Sequence, residues 1–198
     1  MRTIAPELDI NQIKADIQEG DIIFTAIPAF LFRRVAHDSG SFTSHVGYII
    51  KDENGEFAVL ESAIPTVRKV PLEDFIARTD KAQVMIKRIK GGLSQDQVTA
   101  LKAASLQYMG RFYHTGFKFE SKRQFCSKFV YLSFKEALGI EIGKLQTLGE
   151  LLAENPQAKL IFWRAWYFGK IPYSRITITP ASQLVDEKLE TVFANPPH

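Results

Sequence analysis

Gln124-Phe125-Cys126-Ser127-Lys128-Phe129-Val130-Tyr131 holds the only cysteine of the chain and opens its strongest helical pattern. From Phe125 onward, Phe129, Val130, Leu132, Phe134, Ala137 and Leu138 recur at three- and four-residue steps, as in a helix buried along one face. Gly139 suits the C-terminal cap of that helix. Upstream, Ser121-Lys-Arg-Gln124 has the S-x-x-Q form of a capping box, which predicts a helix start between Ser121 and Phe125 with Cys126 in the first turns. A thiol placed there faces unpaired amide N–H groups and the positive end of the helix dipole, an environment that favours thiolate. The competing account is a small core hydrophobe, the commoner fate of a lone cysteine. Catalysis therefore needs a base from elsewhere in the chain.

Working outward, a chain of 198 residues with 45% hydrophobic and 24% charged residues suits one globular domain with a substantial core. The net charge of +3 is too small a basic excess to imply nucleic acid, and no basic run interleaved with aromatics stands out. No stretch approaches the ~20 apolar residues that span a bilayer. At the N-terminus, Pro6, Glu7 and Asp9 interrupt any signal-peptide core, so a cytoplasmic protein is expected. A single cysteine excludes an internal disulfide, and His and Cys do not fall in zinc-ligand spacing, so neither a metal nor another cofactor is expected.

The strand signals come before the cysteine helix. Asp21–Ile27 reads as a buried strand, and His45–Ile50 and Glu56–Glu61 flank Asn54-Gly55 as an antiparallel hairpin. Thr66–Val70 and Val84–Ile89 read as further strands. Helices are expected over 11–18, 28–36, 71–77, from the Ser94 cap onward, over 147–153, and over 185–193, with Asn195–His198 a frayed tail. The aromatic run Leu160–Phe168 suits core packing or an apolar pocket wall.

Among the four histidines, His198 lies in the tail and His37 in a polar loop, whereas His114 lies in the connection just before the cysteine helix. His45 opens a hairpin strand, and Gly47 two residues on leaves room on the same face for another group. With the turn at Glu53–Glu56, Glu61 falls opposite His45 or next to that position, close enough to hold the imidazole in one tautomer. Glu61 read alone also fits an exposed carboxylate at a strand end.

Together, Gly20–Phe24, Ser44–Ile50, Leu60–Ala63, Val70–Phe75, Tyr113-x-x-Gly-Phe117, Phe125–Tyr131 and Ile178–Ser182 resemble the ordered blocks of the YiiX/YebB-like family. That family is a circularly permuted papain-like branch of the NlpC/P60 superfamily, with its histidine strands ahead of its cysteine helix. The resemblance spans roughly residues 20 to 193. It implies an α+β, permuted papain-like fold, an antiparallel sheet packed against a cysteine-bearing helix, over a single domain, 1–198. It also implies a cysteine hydrolase (amidase, peptidase or esterase) working through a thioester, with Cys126 as nucleophile, His45 as base, Glu61 as orienting residue and Tyr113 lining the site near the oxyanion. The alternative it carries is an acyltransferase or a lipid- or acyl-binding protein with little turnover. A peptide, lipid-like or other small-molecule substrate is expected, with no metal.

Two departures bear on the cleft. His114 stands where the family often has an acid, and Lys128 where it often has Glu. Pocket walls are expected from Phe30–Phe42 and Phe162–Phe168, whose Arg33, Arg34 and Arg164, with Lys170 just beyond, suit an apolar group ending in an anion.

Overall fold

The computed structural model describes residues 8–195. In chain order the elements are α1 (Ile10–Asp16), β1 (Ile22–Thr25), α2 (Phe30–Asp38), β2 (His45–Lys51), β3 (Phe57–Ser62), β4 (Val67–Pro71), α3 (Leu72–Ala77), β5 (Val84–Ile89) and α4 (Gln95–Leu106). After them come α5 (Cys126–Leu138), β6 (Gln146–Thr147), α6 (Leu148–Glu154), α7 (Leu160–Trp166), β7 (Ile176–Thr177), α8 (Pro180–Leu184) and β8 (Leu189–Asn195). Six strands form one antiparallel sheet in the order β4-β3-β2-β1-β5-β8, and β6 and β7 pair separately. No helix among the described residues is long and apolar enough to cross a membrane.

Both faces of the sheet are covered, so its central strands read as continuous apolar runs rather than as alternation. One face carries Phe24, Val46, Tyr48, Ile50 and Leu60, which pack on Phe129, Val130 and Phe134 of α5 and Leu101 of α4. On the other, Ile23, Ile49 and Val59 meet Ile13 of α1 and Leu72 and Phe75 of α3. Each large apolar side chain buried this way contributes about 1.5–3 kcal/mol. A smaller cluster of Leu148, Leu152, Trp163 and Ile171 joins α6 and α7 beside the main core. The antiparallel sheet packed on the cysteine helix is the permuted papain-like architecture expected.

Two expectations are corrected. The predicted capping box at Ser121–Gln124 does not form: Phe125 is the N-cap of α5, with no side-chain cap hydrogen bond. Gln124 is instead held extended by a bridge to Tyr113, its N–H donating to the Phe112 carbonyl and its carbonyl accepting from His114 N–H. Residues 185–193 form no helix. They end in β8, because the open edge of β5 offers a ladder of hydrogen-bonding groups that a local helix would leave unpaired. A register shift between Ile86 and Lys87 leaves Val192 unopposed, which breaks the period-two pattern and hides the strand from the sequence. Gly139 does cap α5 in the left-handed region, at φ 69°. Of the tail, residues 196–198, His198 included, lie outside the described residues.

Candidate active site

The polar side of the site is built by sheet register. Glu61 on β3 pairs with Gly47 on β2, so His45 lies two residues along the same face from the position opposite the carboxylate. A Cβ at Gly47 would stand 2.6 Å from Val59 Cγ1 and 2.8 Å from the Leu60 carbonyl oxygen, so glycine is what permits this close strand approach. The Glu61 side chain crosses the gap, and His45 Nε2 meets its Oε2 at 2.5 Å. Both residues are buried.

Two arginines complete the carboxylate's surroundings. Arg68, opposite Glu61 in the β3–β4 register, donates from Nε to Oε1 at 3.0 Å, and Arg78 donates to the same oxygen at 2.9 Å. The Arg78 guanidinium also lies over the Phe75 ring at 5.1 Å, and Phe75 stacks against His45 with centroids 5.5 Å apart. The imidazole is thus fixed by a ring on its face and a carboxylate at its edge. Burial alone would raise the Glu61 pKa, but the hydrogen bond and charge of His45, then those of Arg78, hold it down at about 2. Arg68 and Arg78 were not anticipated, although a tight β3–β4 connection would have set Arg68 across from Glu61.

Cys126 is the first residue of α5 and is buried. Its Sγ lies 4.0 Å from the carbonyl oxygen of Ser44, the residue before His45, so the start of the helix meets the start of the strand. Since Glu61 occupies Nε2, the ring nitrogen that remains is Nδ1, which is buried and has no hydrogen-bond partner among the described residues. Burial works against a charged imidazole here, yet hydrogen bonding and charge from Cys126 and Glu61 prevail and raise the His45 pKa to about 9. The environment is therefore one that stabilises imidazolium between two acidic partners.

Tyr113 packs edge-on to Phe32, and its buried hydroxyl lacks a hydrogen-bond partner. Burial, then the charge of the neighbouring Cys126, push its pKa well above the ordinary tyrosine value, so it remains an O–H donor. The Gln124 Oε1 is also buried and unpaired. Folded proteins leave few buried polar groups unpaired, so the open His45 Nδ1, Tyr113 hydroxyl and Gln124 Oε1 call for an explanation.

The other side of Cys126 is apolar. A narrow cleft is lined by Cys126, Tyr113 and Phe125 at one end and by residues including Val35, Leu151, Leu152 and Trp163 beyond. Both segments expected to form pocket walls contribute to it, Phe32 and Val35 from α2, Trp163 from α7 and Tyr167 just past it. The expected cationic end is absent from the lining. Arg33 pairs with Asp80 at 3.1 Å and Arg34 with Asp38 at 3.3 Å. Asp38, the only carboxylate in the lining, is occupied by the Trp163 indole N–H at 2.8 Å.

The remaining candidates fall outside the cleft. His37 lies in the last turn of α2, half exposed and bonded to Asp38, rather than in a loop. His114 Nδ1 accepts from Gly116 N–H, and its pKa is lowered by burial and by Arg175. Lys128 is buried, with Nζ donating to the carbonyls of Ser121 at 2.5 Å and Arg123 at 2.9 Å. Burial and then Arg111 lower its pKa to about 8. Neither departure from the family pattern, His114 or Lys128, charges the cleft.

A family model described as permuted papain-like amidase enzyme, YaeF/YiiX, C92 family, matches residues 16–193. The uncharacterized protein YiiX of Escherichia coli strain K12 is 30% identical over 177 residues, covering 88% of this chain and 85% of that protein. A crystal structure of YiiX from Escherichia coli O157:H7, whose title calls it a metalloprotein, superposes with a TM-score of 0.85 at 29% identity, covering 92% of this chain and 99% of that one. With histidine strands leading to a cysteine helix and the family model spanning nearly the whole chain, this protein belongs to the permuted papain-like amidases of the YaeF/YiiX family.

Proposed function

We propose that the chain acts as one domain and as a thiol amidase or acyl hydrolase in which Cys126 is the nucleophile, His45 the acid and base, and Glu61 the residue that orients His45. The observation that carries this reading is the buried imidazole, held at Nε2 by Glu61 and left open at Nδ1, beside the only cysteine of the chain. The Cys126 thiolate attacks the substrate carbonyl carbon, and the π electrons move onto the oxygen. Tyr113 O–H and first-turn amides of α5, which the N-cap side chain leaves uncapped, stabilise that oxyanion. His45 gives its proton to the departing amine or alkoxide as the C–N or C–O bond breaks, leaving a thioester on Cys126. Water then adds, His45 takes its proton, and the carboxylic acid leaves as the thiolate is restored.

A second reading, acyl transfer or acyl binding, draws on the apolar lining of the cleft beside the sulfur. An amine or alcohol entering in place of water would carry the acyl group away. The donors for a metal, as in the relative's title, are not assembled here: among the described residues no three His, Cys, Asp or Glu side chains converge to hold an ion.

The test is an acyl p-nitroanilide and ester panel, with mass spectrometry of the intact protein in single turnover. The expected result is a substrate-sized adduct on Cys126, lost in Cys126→Ala, with kcat/KM about 10²–10⁴-fold lower in His45→Ala. Hydrolysis that persists undiminished in either variant would refute the assignment. Partition of the adduct to added hydroxylamine, rather than to water, would favour the transferase reading.

A further inference from the structure

Helix α7 has two faces with different chemistry. Trp163 turns inward to the cleft and is buried, but Ile161 is 87% exposed and Phe168, just past the helix, is 99% exposed. On α2, Phe30 is 74% exposed and meets Phe162 of α7 edge-on at 5.5 Å, and Phe162 in turn stacks on Trp166. Aromatic contacts thus join the exposed Phe30 of α2 to α7 through Phe162 and Trp166. An exposed patch of this kind marks an interaction site more often than it marks chance.

The backbone supplies an independent observation. Phe168 adopts φ 54°, in the left-handed region, at the position after the Tyr167 cap. Its N–H donates to Ala165 and that of Gly169 to Arg164, the pair of bonds that ends a helix in a Schellman motif. Glycine ordinarily takes the position held here by Phe168, yet glycine follows one residue later. The chain accepts local strain to hold a phenyl ring in solvent, where no packing compensates it.

Charge indicates what the surface meets. Between Glu154 and Asp186 the sequence has no carboxylate, while it carries Lys159, Arg164, Lys170 and Arg175. Lys159, Arg164 and Lys170 are exposed. Exposed bulky apolar side chains with cations, and no carboxylate, interspersed along the same stretch match the boundary between acyl chains and anionic headgroups.

We propose that this face of α2 and α7 docks on an anionic lipid bilayer. Phe30, Ile161 and Phe168 enter the interface, and Lys159, Arg164 and Lys170 meet the lipid phosphates. Val35 and Trp163 on the inner side of the same helices line the cleft that reaches Cys126, so docking sets that cleft at the membrane surface. The docking stands apart from the chemistry assigned to Cys126, because it is read as binding and applies equally to Cys126→Ala.

The test is sedimentation of the full chain with large vesicles of phosphatidylcholine alone or with phosphatidylglycerol added. Binding is expected only with the anionic lipid, falling as salt rises, and roughly tenfold weaker in an Arg164→Glu, Lys170→Glu double variant. Phe168→Gly, which relieves the left-handed strain, should weaken vesicle binding without lowering Tm. Equal binding to neutral vesicles, no binding to either, or Phe168→Gly binding as wild type would overturn the proposal. So would self-association abolished by Phe168→Gly in a chain that ignores vesicles.

Discussion

The two sides of Cys126 are held by different means. On one side, His45, Glu61 and Arg68 stand at fixed register positions of a sheet whose central strands are buried on both faces, and the carboxylate has three donors. On the other, the cleft wall is assembled from short helices, α2, α6 and α7, joined through the satellite cluster around Trp163. A polar constellation requires placement to a fraction of an ångström, which strand pairing provides. An apolar wall requires only shape and dryness, and short helices provide that while tolerating change. The geometry of the proposed reaction is thereby separated from the dimensions of the space for an acyl group.

Three measurements would break or sharpen that contrast. The largest effect is expected at Tyr113, which lines the cleft end next to Cys126 and is the oxyanion donor of the proposed reaction: Tyr113→Phe should lower kcat about 10²–10³-fold with KM little changed. A loss confined to KM would move Tyr113 from the reaction to the substrate wall.

The second concerns the carboxylate. The His45 pKa is raised to about 9, so the stability contributed by imidazolium is fully present below its unfolded value near 6.5 and is lost as pH rises through about 9. For Glu61, held at about 2, the contribution is present above about 4.5 and is lost as pH falls through about 2. Denaturant titrations across pH should therefore show wild-type stability declining towards pH 9, and the alkaline limb of kcat/KM should fall there too as the leaving-group acid is lost. Glu61→Gln should move that limb to lower pH and lower stability, because the buried His45 imidazolium loses its counter-charge, while Arg68 and Arg78, each about a third exposed, turn to solvent at little cost. An unmoved limb would detach Glu61 from His45.

The smallest effect belongs to the helical wall. Leu151→Ala should change the preference for long over short acyl chains by roughly tenfold while leaving the rate on an acetyl substrate intact. Equal changes on both substrates would mean that the wall and the catalytic end are mechanically coupled.

The residues at the centre of the site were legible in sequence because their signals are local. A lone cysteine at a helix start, a histidine opening a strand, a glycine two residues on and an Asn-Gly turn placing Glu61 nearby are all read within short windows. That turn put Glu61 opposite His45 or next to it, whereas the ladder pairs it with Gly47, two residues along, because strand register is set by the whole sheet rather than by the turn alone. The capping box at Ser121–Gln124 misled for the opposite reason, since the bridge from Gln124 to Tyr113 draws that segment into an extended path that no short window contains.

By itself, then, the sequence determined the order of strands before the cysteine helix, the apolar face of α5 and its Gly139 cap, since periodicity and turn chemistry are carried by neighbours along the chain. Only the tertiary structure decided that residues 189–195 pair as an edge strand, that Arg33 and Arg34 serve Asp80 and Asp38 instead of the cleft, and that Arg68 and Arg78 converge on Glu61. Those outcomes depend on partners remote along the chain or on an exact register. A hydrogen-bonding edge or a buried carboxylate exerts its pull only once folding has brought it within a few ångströms.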